Sequence, residues 1–268
     1  MKKQIGILCF SPTGSTKTIC ETIALGMDCN KPKIINLTHQ KTRNEFLAKP
    51  ELALDGLDHL IVGLPVHSGK LPLLAIDCLQ AISTGSLKCS AIVVYGNRDF
   101  GVALYNMVVQ LIQSGLTVVS AAAFIGKHSY SDVIPIATDR PDETDLKLAY
   151  IFGLNNLSKS SPIDLKDIPI QNDSISQSPK YPSIKPRFQS VACQQCGRCA
   201  AKCPIGILSA KSGEYKNRQS KNLCLGCMAC VRCCPSEARI NRVNPLVKLM
   251  MKQILKKATT RRQEPILI

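Results

Sequence analysis

The chain has 268 residues, of which 45% are apolar, and it contains 14 cysteines and no tryptophan. Its length allows two domains, and no stretch reaches the roughly 18 consecutive apolar residues of a membrane-spanning helix. The first apolar run is too short for a signal peptide, because Ser11 and Pro12 interrupt it. We therefore expect a cytoplasmic protein whose cysteines are reduced thiols or metal ligands, which excludes a disulfide framework.

Positive charge is concentrated in the last third of the chain. Residues 190–268 contain 15 Lys or Arg and 3 Asp or Glu, a formal charge of +12 out of a total of +15. A basic surface of this kind steers acidic partners. Nucleic acid is the alternative partner, but the sequence has no recognition helix, zinc finger or stripe of aromatic and basic residues. We therefore expect no nucleic-acid binding.

Strand-like and helical patterns alternate across residues 1–158. Apolar runs predict strands at 3–10, 33–36, 59–64, 91–95 and 118–125, and helical periodicity predicts helices at 16–27, 71–82, 101–115 and 142–157. This alternation predicts an α/β domain with a doubly wound, five-stranded parallel sheet. Ligands of such sheets bind beyond the carboxyl ends of the strands, so the loops at those ends are candidate sites.

Three loops follow the first, third and fourth predicted strands. The first, residues 11–17, combines hydroxyl groups, a glycine and the free amides of a helix start, which together suit a phosphate. It is not a Walker A loop, because no glycine precedes Lys17, and its alternative reading is a capped helix start without a ligand. The candidate cofactor contacts are Ser11, Thr13, Gly14, Ser15 and Thr16 in the first loop, Pro65, Val66, His67, Ser68 and Gly69 in the second, and Tyr95, Gly96, Asn97, Arg98 and Phe100 in the third.

The order of Ser, Thr and Gly in residues 11–16 resembles the FMN phosphate loop of flavodoxins. The other two loops occupy the positions that flank the flavin ring in that family. The resemblance implies a flavodoxin-like FMN-binding domain over residues 1–158. Because the chain has no tryptophan, the residue that stacks on the ring would be Tyr95, His67 or Phe100. Each of these also has a purely structural reading, His67 as a turn cap.

Residues 159–188 are rich in Ser and Pro, which predicts a semi-extended linker. After it, one cysteine spacing occurs twice. Residues 193–204 and 224–235 both follow C-x2-C-x2-C-x3-C-P, the bacterial iron–sulfur run in which three cysteines bind one [4Fe–4S] cluster and the fourth binds the other. The predicted metal ligands are Cys193, Cys196, Cys199 and Cys234 for cluster 1, and Cys224, Cys227, Cys230 and Cys203 for cluster 2.

Other metal centres fit this spacing poorly. Zinc sites pair two C-x2-C units and need no third cysteine in step. No C-x-x-C unit is followed by histidine, which excludes an attached c-type haem. The additional thiol, Cys233, falls outside the repeated spacing and is expected to be dispensable.

Residues 189–243 resemble two-cluster bacterial ferredoxins, and the whole chain resembles the flavodoxin–ferredoxin fusion proteins of anaerobic bacteria and archaea. The resemblance implies an iron–sulfur flavoprotein that passes electrons between FMN and two [4Fe–4S] clusters, with an acidic ferredoxin or flavodoxin as redox partner. The alternatives are a ferredoxin-dependent FMN reductase that acts on an unidentified small molecule, and a redox sensor. The sequence leaves open whether the protein is an enzyme or a carrier. It has no G-x-G-x-x-G motif to support NAD(P)H as direct donor.

The last segment, residues 244–268, is basic and begins with a predicted helix over 245–258. Its apolar side is formed by Leu246, Val247, Met250, Met251, Ile254 and Leu255. Such a helix lies on a membrane surface, docks a partner or folds back on its own protein. We expect it to fold back, and membrane contact stays open.

Overall fold

The computed structural model describes residues 3–83, 85–171 and 184–268, with the side chain of Lys257 outside the description. The predicted linker at 159–188 therefore lies partly outside the described residues. In the first half, strands and helices alternate in this order: β1 (Ile5–Cys9), α1 (Ser15–Gly26), β2 (Lys33–Asn36), α2 (Gln40–Ala48), α3 (Pro50–Leu54), β3 (His59–Pro65), α4 (Leu73–Gln80), β4 (Lys88–Tyr95), α5 (Ala103–Gln113), β5 (Thr117–Ile125) and α6 (Glu143–Asn156).

These bounds confirm every strand and helix predicted in this half, with ends displaced by a few residues. Only α2 and α3 were not predicted. The pattern of α2 is weak because most of its surface is polar and its buried residues are Arg43 and Phe46. α3 has five residues, which is too short to show a helical period.

The main sheet has the strand order β2-β1-β3-β4-β5-β8, in which β8 is Ile266–Leu267 from the carboxyl terminus. The pairs from β2 to β5 are parallel, and their order is that of the flavodoxin-like doubly wound fold. The predicted fold class is therefore confirmed, with one difference. The sheet has a sixth strand, because β8 pairs antiparallel with β5 through Ala122 and Ala123.

Apolar residues fill both faces of the sheet, which explains why its strands read as continuous apolar runs. One face packs under α4 and α5, and the other packs under α1 and α6. α1 and α6 meet backbone to backbone at Gly26 and Gly153, where an added Cβ would overlap the carbonyl oxygens of Tyr150 and Ile23. Glycines at this crossing therefore set the distance between the two helices.

The second half is built from short elements, with 3-10 turns at Leu165–Asp167 and Ser190–Ala192. These are β6 (Arg187–Phe188), α7 (Arg198–Ala201), α8 (Arg218–Asn222), α9 (Ala229–Arg232), β7 (Arg239–Ile240), α10 (Pro245–Ile254) and α11 (Lys256–Thr260). Because β6 pairs antiparallel with β7, the chain already joins this unit at residue 187. α7 and α9 each follow a left-handed residue, Gly197 (φ 70°) and Met228 (φ 61°), at matching positions of the two cysteine runs.

The carboxyl-terminal helix folds back on the first domain with only part of its apolar side. Met251 and Leu255 pack against Ile134 and Ile136, next to Ala258. The remaining apolar residues of the predicted stripe stay largely exposed: Leu246, Val247, Met250 and Ile254. Over the described residues, none of the helices has the length and apolar character to cross a membrane.

Candidate cofactor cleft and thiol cavities

A cleft of about 520 Å³ opens at the carboxyl ends of β1, β3, β4 and β5. This is the edge of a doubly wound sheet where ligands bind, and the volume lies in the range of small-molecule sites. Most of the predicted cofactor contacts line it: Thr13, Ser15, Thr16, Pro65, Val66, His67, Ser68, Gly69, Tyr95, Gly96 and Arg98.

The first loop presents the amino terminus of α1 to the cleft. Gly14 precedes the helix with φ 102°, a conformation that favours glycine, and as a glycine it offers no side chain to cap the amides of Ser15 and Thr16. Free amides at a helix start bind anions, because the helix dipole is positive there. Gly14 shapes this loop without lining the cleft.

Ser11, a predicted phosphate contact, is engaged within the first loop. Its Oγ accepts a hydrogen bond from the Lys17 amide at 3.0 Å, and its own amide donates to Thr38 Oγ1 at 2.6 Å. Because its hydroxyl is engaged within the loop, Ser11 does not line the cleft. In the first loop, the hydroxyl groups that line the cleft are those of Thr13, Ser15 and Thr16.

The second loop is a tight hairpin closed by reciprocal backbone hydrogen bonds between His67 and Lys70. Its central residues, Ser68 (φ 51°) and Gly69 (φ 75°), are both left-handed, as in a type I′ turn. The Gly69 carbonyl accepts the Val102 amide at 3.1 Å, which ties this loop to the third one. Burial lowers the pKa of His67 to about 4, so its ring is neutral at pH 7.

Two predicted contacts of the third loop, Asn97 and Phe100, do not line the cleft in this structure. Asn97 is 6% exposed, and its amide nitrogen donates to the carbonyls of Ala258 and Arg261 while its oxygen accepts the Gln263 amide. Phe100 is fully buried. Both lie behind the cleft wall, so Asn97 anchors the carboxyl-terminal segment and Phe100 belongs to the core.

Tyr95 lines the cleft, but its ring is only 2% exposed and packs edge-on against Phe100, with centroids 5.4 Å apart. Burial raises the pKa of its hydroxyl to about 12. Among the described residues, this hydroxyl has no hydrogen-bond partner. Of the three stacking candidates, His67 therefore has the ring that is least enclosed by the core.

A fourth loop, residues 126–130 after β5, also lines the cleft and was missed from the sequence. An added Cβ at Gly126 would lie 3.0 Å from Ser15 Cβ, so β5 closely approaches the first loop. His128 packs on Gly96, and its Nδ1 accepts the Tyr130 amide at 3.0 Å. Burial, helped by nearby arginines, lowers the pKa of His128 to about 4. The position after a parallel strand was the signal that could have identified this loop.

The eight predicted metal ligands surround two small cavities in the second half. One is lined by Cys193, Cys196, Cys199 and Cys234. The other is lined by Cys203, Cys224, Cys227 and Cys230. Each cavity thus combines three thiols of one run with the last thiol of the other run. We name them thiol cavity 1 and thiol cavity 2.

Cys233 lines neither thiol cavity, and its Sγ lies 3.6 Å from the Cys230 carbonyl oxygen. Within the described ranges, no three His, Cys, Asp or Glu side chains are arranged to hold a single metal ion. A [4Fe–4S] cluster binds each thiolate at a different iron, so its ligands stand farther apart than those of one ion. The donor set and its spacing therefore suit clusters better than zinc.

The thiols differ in their electrostatic surroundings. Burial raises the pKa of Cys227 to about 12, and the neighbouring thiols Cys224 and Cys203 add to this. For Cys234, burial acts in the same direction, but hydrogen bonds from the Arg239 amide and from Ser236 outweigh it and lower the pKa. Because metal ligation requires thiolates, cluster binding releases protons and depends on pH.

The cleft and thiol cavity 2 share a wall. Leu225, Gly226 and Cys227 line the cleft, and Cys227 also lines thiol cavity 2. A predicted cluster ligand, Cys227, therefore lies at the cleft surface. Two arginines, one from each half, donate hydrogen bonds to the other half. Arg43 donates to the carbonyl of Pro204 at 2.9 Å, and Arg232 donates to the carbonyl of His128 at 2.9 Å.

Residues 192–239 match the family model of the 4Fe–4S dicluster domain. The chain therefore combines a sheet with the flavodoxin-like strand order and a 4Fe–4S dicluster domain. No curated protein matches the chain at a significant level.

Among solved structures, an archaeal flavodoxin is similar at 17% identity, over 57% of this chain and 96% of its own, with a TM-score of 0.38. A WrbA-like flavodoxin from Agrobacterium tumefaciens is similar at 17% identity, over 57% and 94%, with a TM-score of 0.41. Rubredoxin oxygen:oxidoreductase from Desulfovibrio gigas is similar at 14% identity, over 58% and 37%, with a TM-score of 0.44.

Proposed function

We propose that this protein is an iron–sulfur flavoprotein that transfers electrons between two [4Fe–4S] clusters and one FMN, and that an acidic ferredoxin supplies them. The observation that best supports this proposal is that Cys227 lines both the cleft and thiol cavity 2. FMN supplies the conversion between one-electron and two-electron chemistry. The protein places the cleft next to thiol cavity 2.

The cleft residues suit FMN in a specific way. The free amides at the start of α1 and the hydroxyls of Thr13, Ser15 and Thr16 would hold the phosphate, and no arginine is required there. The hairpin at residues 67–70 and the loop after β4 would flank the ring. Neutral His67 and His128 would let these walls contact the ring without placing an imidazolium charge beside it.

Thiol cavity 1 lies on the side where electrons would enter. Its Cys196 is exposed, whereas Cys227 of thiol cavity 2 lies at the cleft wall. Exposed cations of this unit would steer an acidic ferredoxin: Arg198, Lys202, Lys216, Arg218 and Lys221. Arg232 is excluded from this group, because it faces Asp132 and the His128 carbonyl of the first domain.

Anaerobic stopped flow with a reduced acidic ferredoxin tests the proposal. Cluster bleaching is expected before flavin bleaching, and the rate is expected to fall by about tenfold or more between low and high salt, because exposed charges are screened over ~8–10 Å at physiological ionic strength. NADH and NADPH alone are expected to reduce neither centre. Flavin bleaching that precedes cluster bleaching, or a rate insensitive to salt, would contradict this route.

A ferredoxin-dependent FMN reductase acting on a small molecule is the second candidate. It is favoured by the polar side chains of Lys127, His128 and Tyr130, which line the cleft beyond the three predicted loops. These groups could contact a substrate above the ring. A flavin-bound structure with an enclosed space over the ring would favour the reductase, and an open ring edge would favour the carrier.

A further inference from the structure

Arg239 is a buried cation with no acidic partner among the described residues. It is 1% exposed and is the largest fully buried side chain described. Its Nη2 donates to the Gly213 carbonyl, while Nε and Nη1 have no hydrogen-bond partner in the described part of the chain. Buried arginines are rare unless they are paired, so these two nitrogens are expected to serve a group that the protein itself does not supply.

Two aromatic rings hold the guanidinium in place. Its carbon lies 5.1 Å from the centroid of Phe188 and 4.8 Å from that of Tyr215. Both are cation–π distances, which stabilise the charge without consuming its N–H groups. The guanidinium is therefore fixed while two of its nitrogens remain unused.

The side chain belongs to thiol cavity 1. Arg239 lines that cavity together with Cys193, Cys196, Cys199 and Cys234, and it does not line thiol cavity 2. Burial raises the pKa of Cys199, and the charge of Arg239 acts against that rise. Arg239 thus lines only one of the two predicted cluster sites, although its charge also acts on Cys230 of the other.

The two cysteine runs differ at this position. Leu208 and Arg239 each lie five residues after the last cysteine of their run, and each pairs with an aromatic residue, Leu208 with Tyr215 and Arg239 with Phe188. Leu208 is apolar and packs in the small core of the unit. The equivalent position is therefore a leucine after the first cysteine run and an arginine after the second.

We propose that Arg239 raises the reduction potential of cluster 1 above that of cluster 2. This inference rests on the two clusters of the proposed function. Each cluster takes up one electron, which makes the site one charge more negative. A fixed cation and N–H donors stabilise the more negative state, and net charge and hydrogen bonds to sulfur are known determinants of cluster potential. The effect is expected to be larger at cluster 1, because Arg239 lines only thiol cavity 1, while its charge also reaches Cys230 of thiol cavity 2.

The test is an anaerobic redox titration of the reconstituted full chain, followed by electron paramagnetic resonance, with iron content measured on each sample. Arg239→Met removes the charge and keeps the volume, and Arg239→Lys keeps the charge but loses the planar donors. Lys221→Met, which removes an exposed cation of the same unit, is the matched control. The signal lost in Cys196→Ala identifies cluster 1.

Arg239→Met is expected to shift the one-electron equilibrium of cluster 1 at least tenfold toward the oxidised form, a fall of ~59 mV. Arg239→Lys is expected to give a smaller fall, and Lys221→Met none. Equal shifts of both clusters, or full iron content with no shift, would overturn the inference. If Arg239→Met fails to bind iron, an unshifted Arg239→Lys with full iron would overturn it. Wild-type protein with fewer than about eight iron atoms would instead contradict the proposed function.

Discussion

The flavodoxin-like half and the dicluster half of the molecule are stabilised by different kinds of interaction. The flavodoxin-like half buries strands and helices in two large apolar clusters, one on each face of its sheet. The dicluster half has a small apolar cluster formed by Cys199, Ile207 and Leu208 and surrounded by partly buried thiols. The first half is therefore stabilised by apolar burial, whereas we expect the second to depend on the clusters proposed for its thiols.

The largest expected effect is that of removing iron, which should unfold the dicluster half and leave the flavodoxin-like half folded. Chelation under denaturant-free conditions is expected to abolish amide protection across residues 192–239 while β1, β3, β4 and β5 keep theirs, because metal binding in such small units is coupled to folding. Hydrogen exchange with mass spectrometry measures both regions in one sample. Protection that persists in the dicluster half after iron is lost would show that its small core is sufficient.

The next comparison uses adjacent thiols. Cys234→Ala is expected to lower the iron content from about eight to about four atoms per chain, because it removes a ligand of one cluster. Cys233→Ala is the matched control and is expected to retain all iron, since Cys233 lines neither thiol cavity. Anaerobic iron and sulfide assays distinguish the two variants. Loss of iron from Cys233→Ala alone would reverse the ligand assignment.

In the flavodoxin-like half, Thr13→Ala is expected to weaken FMN binding by ~1.5–3 kcal/mol, the usual cost of losing a hydrogen bond to a charged group. Flavin fluorescence titration of the apoprotein measures this affinity. Thr18→Ala is the control, because Thr18 is exposed on α1 and does not line the cleft. Equal affinities for the two variants would mean that the phosphate binds elsewhere.

The smallest expected effect concerns Asn97, where the flavodoxin-like half anchors the carboxyl-terminal segment. Asn97→Gly keeps the left-handed backbone (φ 60°) accessible and removes three hydrogen bonds to that segment. We expect the free energy of unfolding to fall by ~1–3 kcal/mol while FMN affinity stays unchanged. Urea unfolding and flavin titration measure the two quantities. Weaker FMN binding at unchanged stability would restore Asn97 to the cofactor site.

The sequence predicted the strands of the sheet well because they are buried on both faces, so each is a continuous apolar run such as residues 59–64. The grouping of the eight thiols around two cavities also agrees with the prediction, because the repeated cysteine spacing is a local property of the chain, while their role as cluster ligands stays a prediction. The sequence did not predict β8, since a two-residue strand carries no periodic signal and its partner lies far away in the chain.

At the cleft, the residue types in the loops indicated a binding site, but the sequence did not predict which side chains face the cleft. Ser11 and Thr13 read alike in the sequence, yet only Thr13 lines the cleft, because the Lys17 amide engages the hydroxyl of Ser11. Asn97 read as a loop residue near the flavin, but the carboxyl-terminal segment uses every polar atom of its side chain. A hydrogen bond within the loop engages Ser11, and hydrogen bonds to a segment more than 160 residues away engage Asn97.

The sequence by itself determined the doubly wound sheet and the spacing of the eight thiols, because buried apolar runs and local ligand geometry are written in neighbouring residues. Only the tertiary structure decided that Cys227 forms part of the cleft wall and that Arg239 lies beside thiol cavity 1 without an acidic partner among the described residues. Both facts depend on how separate segments pack against one another, and residues distant in the chain carry no local pattern that predicts their contact.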